Sequence, residues 1–544
     1  MKKRTRLLSL LGTSLIVITS LGFFWNNDNK LFEISKNIEL FANLYKEINT
    51  YYVDEIEPSK FMKIGLDAMV SSLDPYTNYI SEAQIEDFRF SQEGKYHGIG
   101  IESRKMGDYF TVTELFKDQP ADKAGLKVGD QIIAIDGKDA KGKSEEDIEE
   151  ILRGFPGTEV VLQIRRPGKE DNFQVKIIRE DVEVENVPHH DLIAENIGYI
   201  TLTTFTRDAG SNVANALKDL KDKNPNLKGV VFDLRGNGGG LLLEAVNVTN
   251  VFIPKNELVT TTKGRVKDWD RSFRTLNNPV DTEIPVVVLI NNRSASASEI
   301  VAGAIQDYDR GVLIGQRSFG KGLVQNTRNI SDNAKVKMTT AKYYIPSGRC
   351  IQAVEYENGE PVDIPDEQRT PFKTRNGRQV FDGGGISPDL VVDRDGSSNL
   401  LKQLERGNII FDYVTQYCAD KASVGELMSL KFNDFKGFID FVEARNFKYD
   451  TKTEQLLKEL QTQAEKDGYA IAATIANLKQ EMVNTKRAEL LKYEDAITDI
   501  IEKEMAGRYF YQEGAVKIGL RNDIEIREAI RLLNDSTAYN ELLK

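Results

Sequence analysis

The sequence SASASEIVAGAIQDYDRGVLIGQRSFGKGLVQ, residues 294–325, places a serine at the start of a helix and a lysine in a glycine turn. Ser296 follows the apolar run PVVVLINN (285–292), which predicts a strand, and Glu299 stands three residues later, as in a helix capping box. A capping role alone would explain this serine. A helix N-terminus is also a favourable place for a nucleophile, because its free N–H groups stabilise an oxyanion. The N–H of Ala297 is then a natural oxyanion donor.

A serine acts as a nucleophile at neutral pH only when a base takes its proton. The chain contains three histidines and none lies in this segment, so Lys321 is the nearest candidate base. Lys321 follows the strand-like run GVLIG (311–315) and stands between two glycines, with Gln325 four residues beyond. A lysine is almost fully protonated at neutral pH, so this role requires Lys321 to be shielded from water. Asp307 lies about three helical turns after Ser296. It is a further candidate catalytic residue. An ion pair with Lys321 would stabilise the lysine cation and oppose its role as a base, so a structural role for Asp307 is at least an equal alternative.

The overall composition limits the classes of function. At 544 residues the chain is long enough for three or four domains, and 40% apolar residues allow normal cores. The net charge of −12 disfavours a nucleic-acid partner, which would require a basic surface. No HExxH motif or Cys/His cluster predicts a metal site, and no cofactor is expected.

The glycine-rich run DLRGNGGG (233–240) has nucleotide binding as a rival interpretation. Leu241 stands where the dinucleotide fingerprint needs glycine, and the lysine of a P-loop is absent. The glycines more simply allow backbone N–H groups to face a substrate carbonyl.

The N-terminus reads MKKRTRLLSLLGTSLIVITSLGFFWNNDNK, with four basic residues before an apolar run from Leu7 to about Trp25. A run of this length predicts an export signal, either an uncleaved inner-membrane anchor or a signal peptide that is removed. Residues 1–30 are therefore expected to direct the rest of the chain to the periplasm or outside the cell.

The remaining chain divides by pattern into four regions. Apolar spacings of three and four predict helices over 31–90. Short strand-like runs with two helical pieces over 91–182, including ADKAGLKVGDQIIAIDG, resemble a PDZ domain. Strands and helices alternate over 183–395, which predicts an α/β layer structure with largely parallel strands. Lys/Glu-rich amphipathic stretches predict a helical domain over 396–544.

Several blocks resemble the C-terminal processing peptidases, which are tail-specific serine–lysine endopeptidases. The family pattern S-A-S-A-S-E matches residues 294–299, Q-D matches 306–307, and F-G-K-G-x-V-Q matches 319–325. The resemblance extends over about 40–395 and includes LDPYTNYIS, DLRGNGGGLLLEAV, AKYYIPSGRCIQ and GGISPD in order. It implies a multidomain α/β protein with a crotonase-like protease core, an inserted PDZ-like domain, an N-terminal helical segment and a C-terminal helical domain. The family motifs do not cover the C-terminal region.

The resemblance also implies roles for individual residues. Ser296 corresponds to the nucleophile, Lys321 to the general base, and Gln325 to the residue that supports the lysine. Gly239 or Gly240 would supply the second oxyanion donor.

The front loop of the PDZ-like region is expected to bind a free C-terminal carboxylate through backbone amides, while the tail adds as a strand. The alternative is an ordinary strand start that contains glycine. The loop departs from the common G-L-G-F form in two apolar positions. Its residues are Gly98, Ile99, Gly100 and Ile101.

The resemblance as a whole implies an exported serine endopeptidase that recognises protein or peptide substrates near their C-termini. Whether an adaptor protein takes part is left open. The N-terminal segment would contact the membrane, and no metal or cofactor is expected. Two alternatives come from other classes: a catalytically silent PDZ scaffold of the same fold, and an acyl-CoA enzyme on the related core fold. A serine–histidine triad built on His189 or His190 is a third.

Overall fold

The computed structural model describes residues 30–544 except 332–333, 358–359, 364, 393–398, 446 and 448–450. Almost all of the predicted signal or anchor, residues 1–30, therefore lies outside the described residues. None of the helices that are described is both long and apolar enough to cross a membrane. The described residues divide into two compact units, one that ends at Tyr79 and one that begins at Ile80.

The first unit contains helix α1 (30–51) and helix α2 (Pro58–Ser71). Proline suits the first position of α2 because its fixed φ is helical and no N–H is needed there. The rings of Tyr45 and Phe61 stack with their centroids 5.9 Å apart. The short strand β1 (Asn78–Ile80) lies at the boundary between the units.

The second unit begins with a small antiparallel domain. Its elements are α3 (Ile85–Glu93), β2 (Lys95–Gly98), β3 (Ile101–Met106), β4 (Tyr109–Leu115), α4 (Pro120–Lys123), β5 (Gln131–Ile135), β6 (Lys138–Asp139), α5 (Glu145–Leu152), β7 (Glu159–Arg165), β8 (Phe173–Ile178) and β9 (Glu180–Glu183). The strand order is β3-β4-β5-β7-β8, with β6 paired to β5, and β2 pairs with β9. The chain thus enters and leaves this domain along one antiparallel pair, and β3 is an edge strand.

The centre of the second unit is a layered α/β structure. Its elements are β10 (His189–Ala194), β11 (Ile197–Thr201), α6 (Ala209–Lys223), β12 (Gly229–Asp233), α7 (Leu242–Phe252), β13 (Leu258–Gly264), β14 (Arg271–Arg274), β15 (Val286–Ile290), α8 (Ala297–Asp307), β16 (Val312–Gly315), β17 (Leu323–Ser331), β18 (Ala334–Tyr344), β19 (Val354–Glu357), β20 (Glu360–Asp363), β21 (Pro371–Lys373), β22 (Gln379–Phe381) and β23 (Leu390–Val391).

The main sheet has the order β10-β11-β12-β15-β16-β23 and is parallel except for β10. The inner strands GVVFD, VVVLI and VLIG are buried throughout, as expected of parallel strands covered on both faces. Helices α6, α7 and α8 form the core on one face. In a neighbouring antiparallel arrangement, β18 pairs with both β17 and β13.

The C-terminal part is helical, as the sequence predicts. Its helices are α9 (Asn399–Arg406), α10 (Ile409–Cys418), α11 (Phe435–Ala444), α12 (Lys452–Asp467), α13 (Ala472–Lys492), α14 (Glu494–Gly519), α15 (Ile524–Asn534) and α16 (Ser536–Leu542). Residues of α9, α10, α11, α13 and α14 share one apolar cluster. Residues of α15 and α16 instead pack on the second face of the main sheet. The last two helices therefore complete the α/β layers, although their sequence gives no sign of this.

Candidate active site

Ser296 lies at the sharp turn between β15 and α8. Open α/β sheets place functional loops at the carboxyl ends of their strands, and β15 ends just before this turn. Ser296 is the N-cap of α8, with φ 56° and ψ −112°, a conformation that non-glycine residues rarely adopt. Its side chain is only half-buried. Strained backbone of this kind persists where neighbouring contacts hold it in place.

The outer serines of S-A-S-A-S supply such contacts. Ser294 Oγ donates to the C=O of Leu234 at 2.8 Å, and Ser298 Oγ donates to the C=O of Asn237 at 2.8 Å. Both serines are fully buried. They fasten the turn to the glycine loop 234–240, and the serine between them, Ser296, stays accessible.

The glycine loop lies directly against the N-terminus of α8. A Cβ added to Gly239 would come within 2.8 Å of Ser296 Cβ and 2.9 Å of Ala297 N, so only glycine allows this approach. The N–H of Gly239 already donates to Asn237 Oδ1 at 2.8 Å. Among the described residues, the N–H of the next residue, Gly240, has no hydrogen-bond partner. The N–H of Gly240 is thus available to a substrate and that of Gly239 is not, and the oxyanion role of both residues remains a prediction.

A buried guanidinium holds the first residues of the glycine loop in place. Arg235 Nε and Nη2 donate to Asp233 at the end of β12, at 2.9 and 2.6 Å. Arg235 Nη1 donates to Asp523 Oδ2 at 2.6 Å and to Glu525, both at the start of α15. Asp523 lies 288 residues further along the chain. The loop that carries the predicted oxyanion donors is thus held by a helix from the opposite end of the sequence, for which the sequence offered no signal.

Glu299, which the sequence identified only as a helix cap, also contacts the segment that carries the predicted base. Its fully buried carboxylate accepts from four uncharged donors. Oε2 accepts from the N–H of Ser296 at 2.7 Å and from the N–H of Lys321 at 2.9 Å. Oε1 accepts from the N–H of Gly320 at 2.7 Å and from the hydroxyl of Ser318. Burial raises the pKa of this carboxyl to about 7, and the hydrogen bonds oppose the rise. One carboxylate oxygen therefore joins the backbone of the predicted nucleophile to that of the predicted base.

Lys321 lies on a tightly packed turn before β17, and its side chain is half-buried. A Cβ added to Gly320, whose φ is +88°, would come within 2.3 Å of Ala353 Cβ. A Cβ added to Gly322 would come within 2.8 Å of Gln352 N. The glycines of G-K-G thus let the chain that carries Lys321 pass this close to the neighbouring backbone.

Gln325 lies on β17, opposite Thr339 of β18. Its Nε2 donates to Thr339 Oγ1 at 3.1 Å, which fixes the orientation of the amide. Its predicted support of Lys321 remains a prediction.

Asp307 lies at the opposite end of α8 from Ser296, about 16 Å along the helix axis. Its carboxylate accepts from Arg349 Nη2 and from the N–H of Ser347, each at 2.9 Å. Burial raises the pKa of this carboxyl, and Arg349 opposes the rise. The structure therefore supports the structural alternative for Asp307.

The histidines occupy a different part of the sheet. His189 and His190 lie on the edge strand β10, separated from β15 by β11 and β12. His190 Nε2 lies 2.9 Å from Asp219 Oδ2 of α6. Three strand spacings amount to about 14 Å, so these residues are poorly placed to form a triad with Ser296. No group of three His, Cys, Asp or Glu side chains in the described part of the chain could hold a metal ion.

The predicted tail-binding loop forms one end of a groove between the edge strand β3 and helix α5. The groove has a volume of about 210 Å³. Gly98, Ile99 and Gly100 are buried, and the Tyr96 ring packs so close to Gly98 that a Cβ there would lie 2.6 Å from it. Burial raises the pKa of the Tyr96 hydroxyl, and the nearby N–H groups of Ile101 and Gly100 oppose the rise. The same amides are the predicted donors to a tail carboxylate. The residues that line the groove are Phe90, Tyr96, Ile99, Ile101, Glu102, Ser103, Arg104, Phe116, Glu145, Glu149, Leu152 and Arg153.

Comparison with known families defines the class of the protein. Peptidase family S41, a family of serine proteases, matches residues 196–360. The PDZ domain matches 98–177, and the probable PDZ-protease C-terminal helical domain matches 400–533. The matches thus place the chain in a family of serine proteases and give it a PDZ domain.

Individual relatives narrow this class. A carboxy-terminal-processing protease of Bartonella bacilliformis is 38% identical over 365 residues, which are 67% of this chain and 82% of the relative. A probable CtpA-like serine protease of Staphylococcus aureus is 35% identical over 420 residues, 75% of this chain and 82% of the relative. A solved photosystem II D1 C-terminal processing protease is 26% identical and covers 65% of this chain and 92% of its own, with a TM-score of 0.36. The chain belongs to the carboxy-terminal processing proteases.

Proposed function

We propose that this protease is a serine–lysine endopeptidase, in which Ser296 attacks the scissile carbonyl and Lys321 is the general base. The observation that carries the proposal is the position of Glu299, whose Oε2 accepts from the N–H groups of both residues. A nucleophile and its base must lie within hydrogen-bond reach, and this shared oxygen brings their two segments side by side.

In the proposed reaction, Lys321 takes the proton of Ser296 Oγ as this oxygen bonds to the substrate carbonyl carbon. The N–H groups of Ala297 and Gly240 stabilise the oxyanion that forms. The proton then passes to the leaving amine, the peptide bond breaks, and an acyl-enzyme remains on Ser296. Water attacks the acyl group with Lys321 again as the base, which releases the product acid and regenerates the serine.

Recognition of C-terminal tails is proposed for the groove between β3 and α5. In the part of the chain that the structure describes, β3 pairs with β4 alone, so its other edge is available for an added strand. The loop amides at Ile99, Gly100 and Ile101 would then hold the terminal carboxylate. Substrates would be protein or peptide chains with accessible C-termini.

The location of the reaction is proposed from the N-terminal sequence alone. The basic residues followed by the apolar run Leu7–Trp25 favour export to the periplasm, with the chain either anchored in the inner membrane or released after signal removal. The substrates would then be exported proteins.

The test of the catalytic pair compares Ser296→Ala, Lys321→Ala and the double variant. Each single change should lower kcat/KM for an unfolded protein substrate by roughly 10⁴-fold or more, and the double variant should be no worse, because the two residues act as a unit. The exposed pair Ser211 and Lys218 on α6 provides matched alanine controls with unchanged activity. Substantial turnover by folded Lys321→Ala would refute the assignment of the base.

The test of tail recognition uses the full chain carrying Ser296→Ala, which should bind substrate without cleaving it. A peptide ending in an apolar residue should bind more tightly as the free acid than as the C-terminal amide, because only the acid satisfies the loop amides. Equal binding of acid and amide would remove the tail-reading role. Tail binding without any Ser296-dependent turnover in the unmodified protein would favour the silent scaffold instead.

A further inference from the structure

The C=O groups of Ser296 and Lys321 share a partner, just as their N–H groups share Glu299. Tyr343 Oη donates to the C=O of Lys321 at 2.6 Å and to the C=O of Ser296 at 3.1 Å. A hydroxyl has one proton, so the two contacts form a bifurcated hydrogen bond. The shorter contact is its main component and the longer one is weaker. The backbone N–H of Tyr343 also donates to the C=O of Gly322 at 2.9 Å.

The surroundings of Tyr343 keep its hydroxyl a donor. The side chain is only 1% exposed and belongs to the apolar core beneath α8. Burial, and then the nearby Glu299 charge, raises the pKa of this phenol well above its usual range. The phenol therefore stays neutral and donates to the C=O of Lys321, while the C=O of Ser296 also accepts from the N–H groups of Glu299 and Ile300 at 2.9 Å each.

We propose that Tyr343 is a positioning residue that sets the separation between the nucleophile and the base. This inference rests on the proposed serine–lysine mechanism. Lys321 stands between two glycines, which have no side chains to fix the peptide. Its N–H donates to Glu299 and its C=O accepts from Tyr343, so these two side chains fix the position of the lysine backbone. A displacement of about 1 Å in a catalytic group can cost about 10²-fold in rate.

The experiment replaces Tyr343 by Phe, which removes the hydroxyl and keeps the ring. The matched control is Tyr344→Phe on the adjacent, half-buried position of β18. Each variant is assayed on an unfolded protein substrate, with the active enzyme counted by a serine-directed acylating probe and folding checked by circular dichroism at the assay temperature. Tyr343→Phe should lower kcat about 10- to 100-fold with KM changed less than about twofold, whereas Tyr344→Phe should match the unmodified protein.

A second measurement separates positioning from a purely structural role. Loss of fold alone would reduce the amount of active enzyme but leave its pH profile in place. Displacement of Lys321 should move the pH at which kcat of the remaining active enzyme rises. A Tyr343→Phe enzyme with unchanged kcat per active site and an unchanged profile would overturn the proposal, as would failure of this variant to fold at any temperature. Absence of Ser296-dependent turnover in the unmodified protein would instead refute the proposed function.

Discussion

Helix α8 buries a carboxylate at each end, and the partners of the two carboxylates differ in kind. At the N-terminal end, the donors to Glu299 among the described residues are uncharged and lie on the segments that carry Ser296 and Lys321. At the C-terminal end, Asp307 forms an ion pair with the buried guanidinium of Arg349. Both carboxylates belong to one short motif, yet only the first lies beside the predicted chemistry.

The difference separates two uses of buried charge. A carboxylate bonded to neutral donors can organise several backbone segments without introducing a cation beside the predicted base. An ion pair compensates the charge, and removal of either partner leaves the other buried and unpaired. Changes at the N-terminal end should therefore reduce turnover, and changes at the C-terminal end should reduce stability.

The largest expected effect is at the N-terminal end, with Gly239→Ala. The added Cβ would lie 2.7 Å from the C=O of Ala295 and 2.9 Å from Ala297 N, and the residue has a φ of +100°. Disturbing one oxyanion donor typically costs about 10²–10³-fold in kcat, and a similar loss is expected here. Gly238→Ala is the matched control, since nothing lies within 4 Å of its added Cβ. Equal kcat for the two variants would show that the loop does not approach Ser296 as described.

The direct test of the comparison makes the same isosteric change at both ends. Glu299→Gln replaces one acceptor oxygen by an amide N–H₂ facing N–H donors, so kcat per active site should fall about 10- to 100-fold. Asp307→Asn removes the ion-pair partner of the buried Arg349 and should lower the free energy of unfolding by about 3–5 kcal/mol, with kcat of the folded enzyme retained.

Denaturant unfolding and active-site-normalised kcat measure the two quantities. Asp412→Asn serves as the control for the loss of a more exposed ion pair, that with Arg445, and should cost less than about 1 kcal/mol. If Asp307→Asn instead lost turnover and kept its stability, the comparison would be reversed and Asp307 would again be a candidate catalytic residue.

The smallest expected effect is the loss of one proton from each of two buried carboxyl groups. Burial raises the pKa of Glu299 and of Glu114 in the PDZ domain to about 7, Glu114 being affected also by Glu102 and Glu504. Because these folded-state values exceed the ordinary value, the stability contributed is complete below about pH 4.5 and is lost as pH rises through about 7. Infrared difference spectra between pH 6 and 8 should show loss of protonated carboxyl bands. Glu299→Gln and Glu114→Gln should each remove one band, and an unchanged spectrum in both would contradict the raised values.

The sequence predicted the local elements around the site well, because strands, caps and turns depend on nearby residues. The runs at β12, β15 and β16 are continuous and apolar, which is typical of buried parallel strands. The capping-box pattern placed Ser296 at the start of α8. Motif order supplied the family, and the relatives confirm it.

The sequence could not separate roles within a motif. Asp307 follows Ser296 on one helix, but nothing in the motif indicates its ion pair with Arg349, 42 residues further along the chain. Nothing in the sequence around Glu299, Ser294 and Ser298 indicates their long-range hydrogen-bond partners. Those partners lie on loops brought together by folding, and spacing along the chain does not encode such contacts.

What the sequence by itself determined is the set of elements, the family and the candidate nucleophile and base, since these depend on short patterns and their order. Only the tertiary structure decided that one oxygen of Glu299 joins the backbones of Ser296 and Lys321, and that α15 holds the glycine loop through Arg235. The physical reason is that buried polar groups must find hydrogen-bond partners, and in a folded chain those partners are set by the packing of distant layers.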